Sequence, residues 1–305
     1  MLRKTSVVAA TFAMVLSAMA GSADAAPRTV DRATGTIVTK TLTNAAGTRA
    51  YQVYTPKRHA PGRPLIAWVH GTSKVRNGDP MELRRTNTLL TEADRLGFSV
   101  VAPMQSLRAD QAGMWHFFEP AGLTRGQGEI SILADIVRKT AREQRADARR
   151  VFAVGHSAGG GAVHVLGAVY SDVFAAIAVS AGFPFVGDPS GSAVRTARDG
   201  RPVPTFLIHG DRDDTAVPVV GAAELSAART ANGIAGAAPR GAIVVPPSRD
   251  DKFPTRISRF GAGRSEIVRA EVLGAGHATG PGGVTLNGPA LDRRVVAFLL
   301  SHRRP

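Results

Sequence analysis

Short apolar runs alternate with amphipathic stretches along most of this chain. Thr36–Thr43 and Arg49–Tyr54 are rich in Thr, Val and Tyr, with Asn44-Ala45-Ala46-Gly47 between them, and predict an antiparallel hairpin. Leu65–Val69 is an unbroken apolar run ending at His70-Gly71, the pattern of a buried strand. Thr86–Leu96 predicts a helix stopped by Gly97, and Ser99–Ala102 the next strand. Ile130, Leu133, Val137 and Ala141 fall on one helical face, so Glu129–Gln144 is expected to be amphipathic. Val151–Val154 predicts a strand, followed by a Gly-rich turn and a helix over Gly159–Val169. Phe174–Ser180 and Thr205–His209 predict two more strands, Gly221–Thr230 a helix, Glu266–Leu273 a strand and Pro289–Ser301 a last helix. Strands alternating with helices in this way imply an α/β chain, with a mostly parallel sheet covered on both faces. Neither a repeat nor a linker interrupts the order, so residues 26–305 are expected to form one domain. Pro184–Pro204 and Asn232–Arg264 are rich in Gly, Pro, Arg and Ser and are expected to be surface insertions.

The first residues follow another logic. Arg3 and Lys4 precede an apolar run, Val7–Ala20, and Ala23-Asp24-Ala25 offers small residues for cleavage. This order reads as a signal peptide over residues 1–25, with export to the periplasm or the medium. The apolar run is too short to span a bilayer comfortably, so no stable membrane insertion is expected. The 305 residues carry a net charge of +14, and cleavage would remove Arg3, Lys4 and Asp24 to leave +13. Most of the basic residues are arginine, without a basic stripe interleaved with aromatics, so no nucleic-acid partner is expected. Zero cysteines exclude disulfides, thiolate metal sites and a cysteine nucleophile.

Candidate chemistry centres on Gly155-His156-Ser157-Ala158-Gly159, a G-x-S-x-G between a predicted strand and a predicted helix. A sharp strand-to-helix turn exposes the serine hydroxyl, and the helix N-terminus points its dipoles at developing negative charge. The hydroxyl needs a base. His277, in a Gly-rich loop after the Glu266–Leu273 strand, is the candidate; the ring of His156 is expected to turn away. Asp211, Asp213 and Asp214 follow the Thr205–His209 strand and offer the acid that would orient the base. Counting from His209-Gly210 selects Asp213 and counting back from Val217-Pro218 selects Asp214; Asp213 is preferred. Backbone amides of Ala158 and Thr72 would hold the oxyanion, so Thr72→Ala should be mild and a proline there severe. This machinery calls for no metal and no organic cofactor.

Strand-His70-Gly71, Gly97-Phe98-Ser99-Val100-Val101-Ala102-Pro103, Met114-Trp115-His116-Phe117, Gly128-Glu129-Ile130, Arg150–Gly160 and Val173-Phe174-Ala175-Ala176 together resemble the poly(3-hydroxybutyrate) depolymerase and feruloyl esterase family of secreted serine esterases. The resemblance runs over about residues 50–300. It implies an α/β-hydrolase fold with Ser157, Asp213 and His277 as the triad. It also implies an ester of a polymer or of a cell-wall phenolic as substrate. Thr72 stands where family members often carry a cysteine, and Ala278-Thr279-Gly280 follows the base histidine where many have a tryptophan-proline-glycine run.

Trp115, in the densest aromatic cluster, is a candidate pocket wall or equally an aromatic plug in the core, with Phe183 and Phe185 as weaker pocket candidates. Arg125, Arg195 and Arg198 could favour an acidic substrate, although a solvated face explains them as well. The leading expectation is an exported carboxylic-ester hydrolase acting through an acyl-enzyme on a small-molecule or polymer ester. A serine peptidase, an acyltransferase and a non-catalytic binding protein on the same scaffold are the alternatives. The sequence leaves the oligomeric state open.

Overall fold

The computed structural model describes residues 33–72, 83, 86–184, 201–280 and 282–305. The expected signal peptide, Phe185, Arg195, Arg198 and most of Pro184–Pro204 lie outside the described residues. Ten strands form one sheet among those that are described. They are β1 (Thr36–Asn44), β2 (Gly47–Thr55), β3 (Leu65–Val69), β4 (Ser99–Pro103), β5 (Val151–His156), β6 (Ala176–Ser180), β7 (Thr205–Gly210), β8 (Ala242–Val245), β9 (Thr255–Phe260) and β10 (Ile267–Val272). Their spatial order is β1-β2-β4-β3-β5-β6-β7-β10-β9-β8. The run from β4 to β10 is parallel, and an antiparallel pair flanks it on each side.

Among the described residues five helices cover the sheet: α1 (Asn87–Leu96), α2 (Gly128–Glu143), α3 (Ala158–Val169), α4 (Pro218–Ala231) and α5 (Pro289–Ser301). The alternation of the strands explains why both faces need cover. Leu65, Ala67 and Val69 of β3 face the core beneath α2, α3 and α4, while Ile66 and Trp68 face the core beneath α1 and α5. All five residues are buried, as expected for an unbroken apolar run in a parallel strand. Each large side chain buried in this way contributes roughly 1.5–3 kcal/mol, and this burial holds a chain that has no disulfide. Gly97 ends α1 in the left-handed region at φ 78°, and its amide donates to the carbonyl of Ala93.

The N-terminal hairpin forms as the sequence predicts, with Asn44 opposite Gly47 and the Asn44 side chain accepting from the Ala46 amide at 2.8 Å. Asn232–Arg264 differs from its expectation as a surface insertion. It holds β8 and β9, which continue the sheet antiparallel to β10. β9 alternates buried and exposed positions against β10, whereas β8 is the solvated edge, with Ile243 and Val244 exposed.

Candidate active site

The proposed site residues follow the C-terminal ends of adjacent parallel strands. Ser157 follows β5, the aspartate loop follows β7, and His277 lies in the loop after β10, which is the parallel neighbour of β7. Segment 70–72 follows β3 on the other side of β5. The topology therefore brings together groups that are far apart in sequence.

Ser157 joins β5 to α3 with φ 53° and ψ −122°, a conformation that costs a non-glycine residue roughly 1–3 kcal/mol. Its amide donates to the Ser180 carbonyl at 2.9 Å, and its carbonyl accepts from Gly161 at 3.0 Å. The turn is too tight for side chains on either flank. A Cβ on Gly155 would lie 2.2 Å from the Gly159 carbonyl oxygen, and one on Gly159 would lie 2.1 Å from that of Val69.

The Ser157 hydroxyl is 2.8 Å from Nε2 of His277. Nδ1 of the same ring is 2.8 Å from Oδ2 and 3.0 Å from Oδ1 of Asp213. A carboxylate only accepts, so Nδ1 carries the proton and Nε2 is left to accept from the serine. Asp213 is buried, and its Oδ1 also accepts from the amides of Thr215 at 2.9 Å and Ala216 at 2.7 Å. Asp214 points outward, with its Oδ1 3.3 Å from the Thr215 hydroxyl. Asp211 straps the acid loop to the base loop by accepting from the Gly274 amide at 2.5 Å. His209 donates through Nε2 to the Ala216 carbonyl at 2.6 Å and so braces the acid loop from below; burial holds its pKa below the ordinary value.

Segment 70–72 passes directly against Ser157. A Cβ on Gly71 would lie 3.1 Å from Cβ of Ser157. The ring of His70 is buried with a defined tautomer: Nε2 accepts from the Gln105 amide at 3.1 Å, and Nδ1 donates to the Gly71 carbonyl at 2.6 Å. Burial lowers the His70 pKa, which keeps the ring neutral. In a trans peptide the N–H opposes the C=O, so the bond to Gly71 turns the Thr72 amide away from the His70 ring. Behind it, the Gln105 side chain donates to Glu129 at 2.7 Å, and Glu129 forms a buried ion pair with Arg49 at 2.5 Å. Glu129 also accepts from the His116 amide at 2.6 Å.

Three expectations for substrate contacts change. Trp115 has no exposed surface among the described residues. Its indole N–H donates to the His70 carbonyl at 3.0 Å, because a buried indole needs an acceptor. Phe183 is also buried, stacked on Phe117 at 5.7 Å. Arg125 is taken up by Asp172 at 2.7 Å and lies over the Tyr170 ring at 4.8 Å. His156 packs its ring 5.1 Å from that of His277; burial and then the neighbouring His277 push its pKa well below the ordinary value. The bracing by His70, Gln105, Glu129 and Arg49 was not read from the sequence. The available signal was polar residues standing in segments that otherwise bury their side chains. Among the described residues no group of acidic and histidine side chains is arranged to hold a metal. None of the described helices is long and apolar enough to cross a membrane.

Residues 49–236 match the family model described as esterase PHB depolymerase. Feruloyl esterase B of Neurospora crassa is 31% identical over 146 residues, which cover 48% of this chain and 47% of the relative. Poly(3-hydroxyalkanoate) depolymerase C of Paucimonas lemoignei is 38% identical over 88 residues, covering 29% of this chain and 21% of the relative. The chain thus spans less than half the length of these curated relatives. Among solved structures, an acetyl xylan esterase from Aspergillus awamori superposes with a TM-score of 0.65 at 21% identity, covering 87% of this chain and 99% of that one. LpqC, a poly(3-hydroxybutyrate) depolymerase from Bordetella parapertussis, gives 0.52 at 20% identity, covering 81% and 85%. These likenesses establish the α/β-hydrolase fold. With the family model matching more than half of its length, the chain belongs to the esterase PHB depolymerase family.

Proposed function

We propose that this protein is an exported serine esterase that cleaves carboxylic esters through an acyl-enzyme. The observation that carries the reading is the hydrogen-bonded line from Ser157 through His277 to Asp213, with 2.8 Å at each junction. Ser157 Oγ attacks the ester carbonyl while its proton passes to Nε2 of His277, and a tetrahedral oxyanion forms. Asp213 holds the ring by its Nδ1–H and stabilises the imidazolium. The amide of Ala158 at the start of α3 and the amide of Thr72 face the developing charge, and α3 adds its dipole. His277 returns the proton to the leaving alkoxide, so an alcohol departs and the acyl group stays on Ser157. Water then attacks with His277 as base, the acid is released and the serine regains its proton. The family and its named relatives favour esters of a polymer or of a cell-wall phenolic as substrates. The apolar run and small residues at the N-terminus support export.

Ser157→Ala decides the matter. The parent should hydrolyse p-nitrophenyl acetate and butyrate, and the variant should lose this activity while keeping its thermal midpoint. Activity retained in Ser157→Ala would remove the nucleophile. A panel adding methyl ferulate, polyhydroxybutyrate and a peptide amide then sorts the substrate class; cleavage of the amide alone would replace the esterase reading by a peptidase one.

A further inference from the structure

The side chain of Thr72 is left over by the machinery described so far. Among the described residues its Oγ1 is shielded from solvent and has no hydrogen-bond partner. A buried hydroxyl without a partner costs roughly 1–3 kcal/mol, so it persists only where something offsets the loss. This one stands at a particular place. Gly71, its neighbour, approaches the nucleophile so closely that a Cβ there would lie 3.1 Å from Ser157 Cβ and 3.2 Å from the His156 carbonyl oxygen. His70 fixes the intervening peptide through the 2.6 Å bond to Gly71, and Trp115 fixes the one before it through the 3.0 Å bond to His70. The hydroxyl therefore stands on a clamped segment, one residue on from the glycine that meets Ser157.

We infer that the Thr72 hydroxyl is a third oxyanion donor, in addition to the two backbone amides. It lacks a partner in the resting enzyme and gains one when negative charge develops on the substrate oxygen. A donor of this kind stabilises the transition state more than the ground state, so it raises kcat rather than affinity. The inference rests on Ser157 being the nucleophile. It also reverses the expectation that Thr72→Ala is mild, because that expectation counted the backbone amide alone.

The test compares Thr72→Val, which keeps the shape and loses the hydroxyl, with Thr72→Ser, which keeps the hydroxyl. Hydrolysis of p-nitrophenyl acetate and the thermal midpoint are measured for both, with Ser157→Ala in the same assay. Thr72→Val should lower kcat by about 10²-fold at a nearly unchanged KM. Its midpoint should equal or exceed that of the parent, since an unpaired buried hydroxyl has gone. Thr72→Ser should stay within about threefold of the parent in kcat, well inside the loss expected for a missing donor. Two results overturn the inference: Thr72→Val within about twofold of the parent, or a loss in Thr72→Val that Thr72→Ser does not recover, which assigns the effect to packing. Both differ from failure of the nucleophile assignment, which appears as activity remaining in Ser157→Ala.

Discussion

Glu224 of α4 offers a quantitative check on the packing behind the site. Its carboxyl is buried, Oε1 has no hydrogen-bond partner among the described residues, and a Cβ on Gly182 would lie 2.9 Å from that oxygen. Gly182 in turn packs against Gly160 in the first turn of α3, so this carboxyl lies behind the nucleophile helix. Burial pushes its pKa from 4.5 up to about 8, opposed only in part by the charge of Arg269. The folded state thus prefers the protonated form, and the unfolded chain releases the proton near 4.5. The contribution to stability is complete below about 4.5 and is lost as the pH rises toward 8. With these values the loss is about 1 kcal/mol at pH 5 and about 4 kcal/mol at pH 8, a change of about 3 kcal/mol. Glu224→Gln retains the shape and cannot ionise. Urea unfolding of parent and variant at both pH values should therefore show the variant gaining about 3 kcal/mol relative to the parent between pH 5 and pH 8. Any constant cost of the new amide cancels in that difference. A relative change under about 0.5 kcal/mol would mean that Glu224 is solvated or paired in the folded protein, and the reasoning would fail.

Asp213→Asn should lower kcat by about 10⁴-fold, because an amide presents the wrong partner to Nδ1 of His277. Asp214→Asn should leave ester hydrolysis near the parent rate, and a severe loss in that variant instead would exchange the two roles. Trp115→Phe leaves the His70 carbonyl without its donor and should cost roughly 1–3 kcal/mol of stability. It should slow acetate and butyrate esters by the same factor; a change in chain-length preference would return Trp115 to the pocket wall.

What could be read from the sequence follows the range over which each feature is specified. The hairpin, the apolar strands and the left-handed stop at Gly97 depend on residues within a few positions of one another, and they stand where the pattern puts them. The turn at Ser157 is local in part: Gly155 is required by a contact within the turn, whereas Gly159 is required by Val69 and His70 at the end of the neighbouring β3. Asp213 and Asp214 were harder to separate. Both adjoin Thr215-Ala216, and only the fold shows which of them is buried against His277, 64 residues on. β8 and β9 were missed because an edge pair with polar and exposed positions has little apolar periodicity of its own. Trp115 could not be placed between pocket and core for a different reason: its aromatic surface is visible in the sequence, but the acceptor that fixes its place lies 45 residues away.

The bracing of segment 70–72 illustrates the same limit and gives it a functional consequence. Arg49 meets Glu129 across 80 residues, Glu129 meets the Gln105 side chain across 24, and the Gln105 backbone amide meets His70 across 35. Each of these side chains is buried, so none can exchange its partner for water without a penalty. The line of partners ends on the peptide that presents the Thr72 amide. A neutralised Glu129 would thus act on the candidate oxyanion donors through Gln105 and His70, although it touches neither the serine nor the substrate. A buried charge pair on β2 and α2 thus braces this segment through Gln105, whereas Ser157 is held in its own turn between β5 and α3.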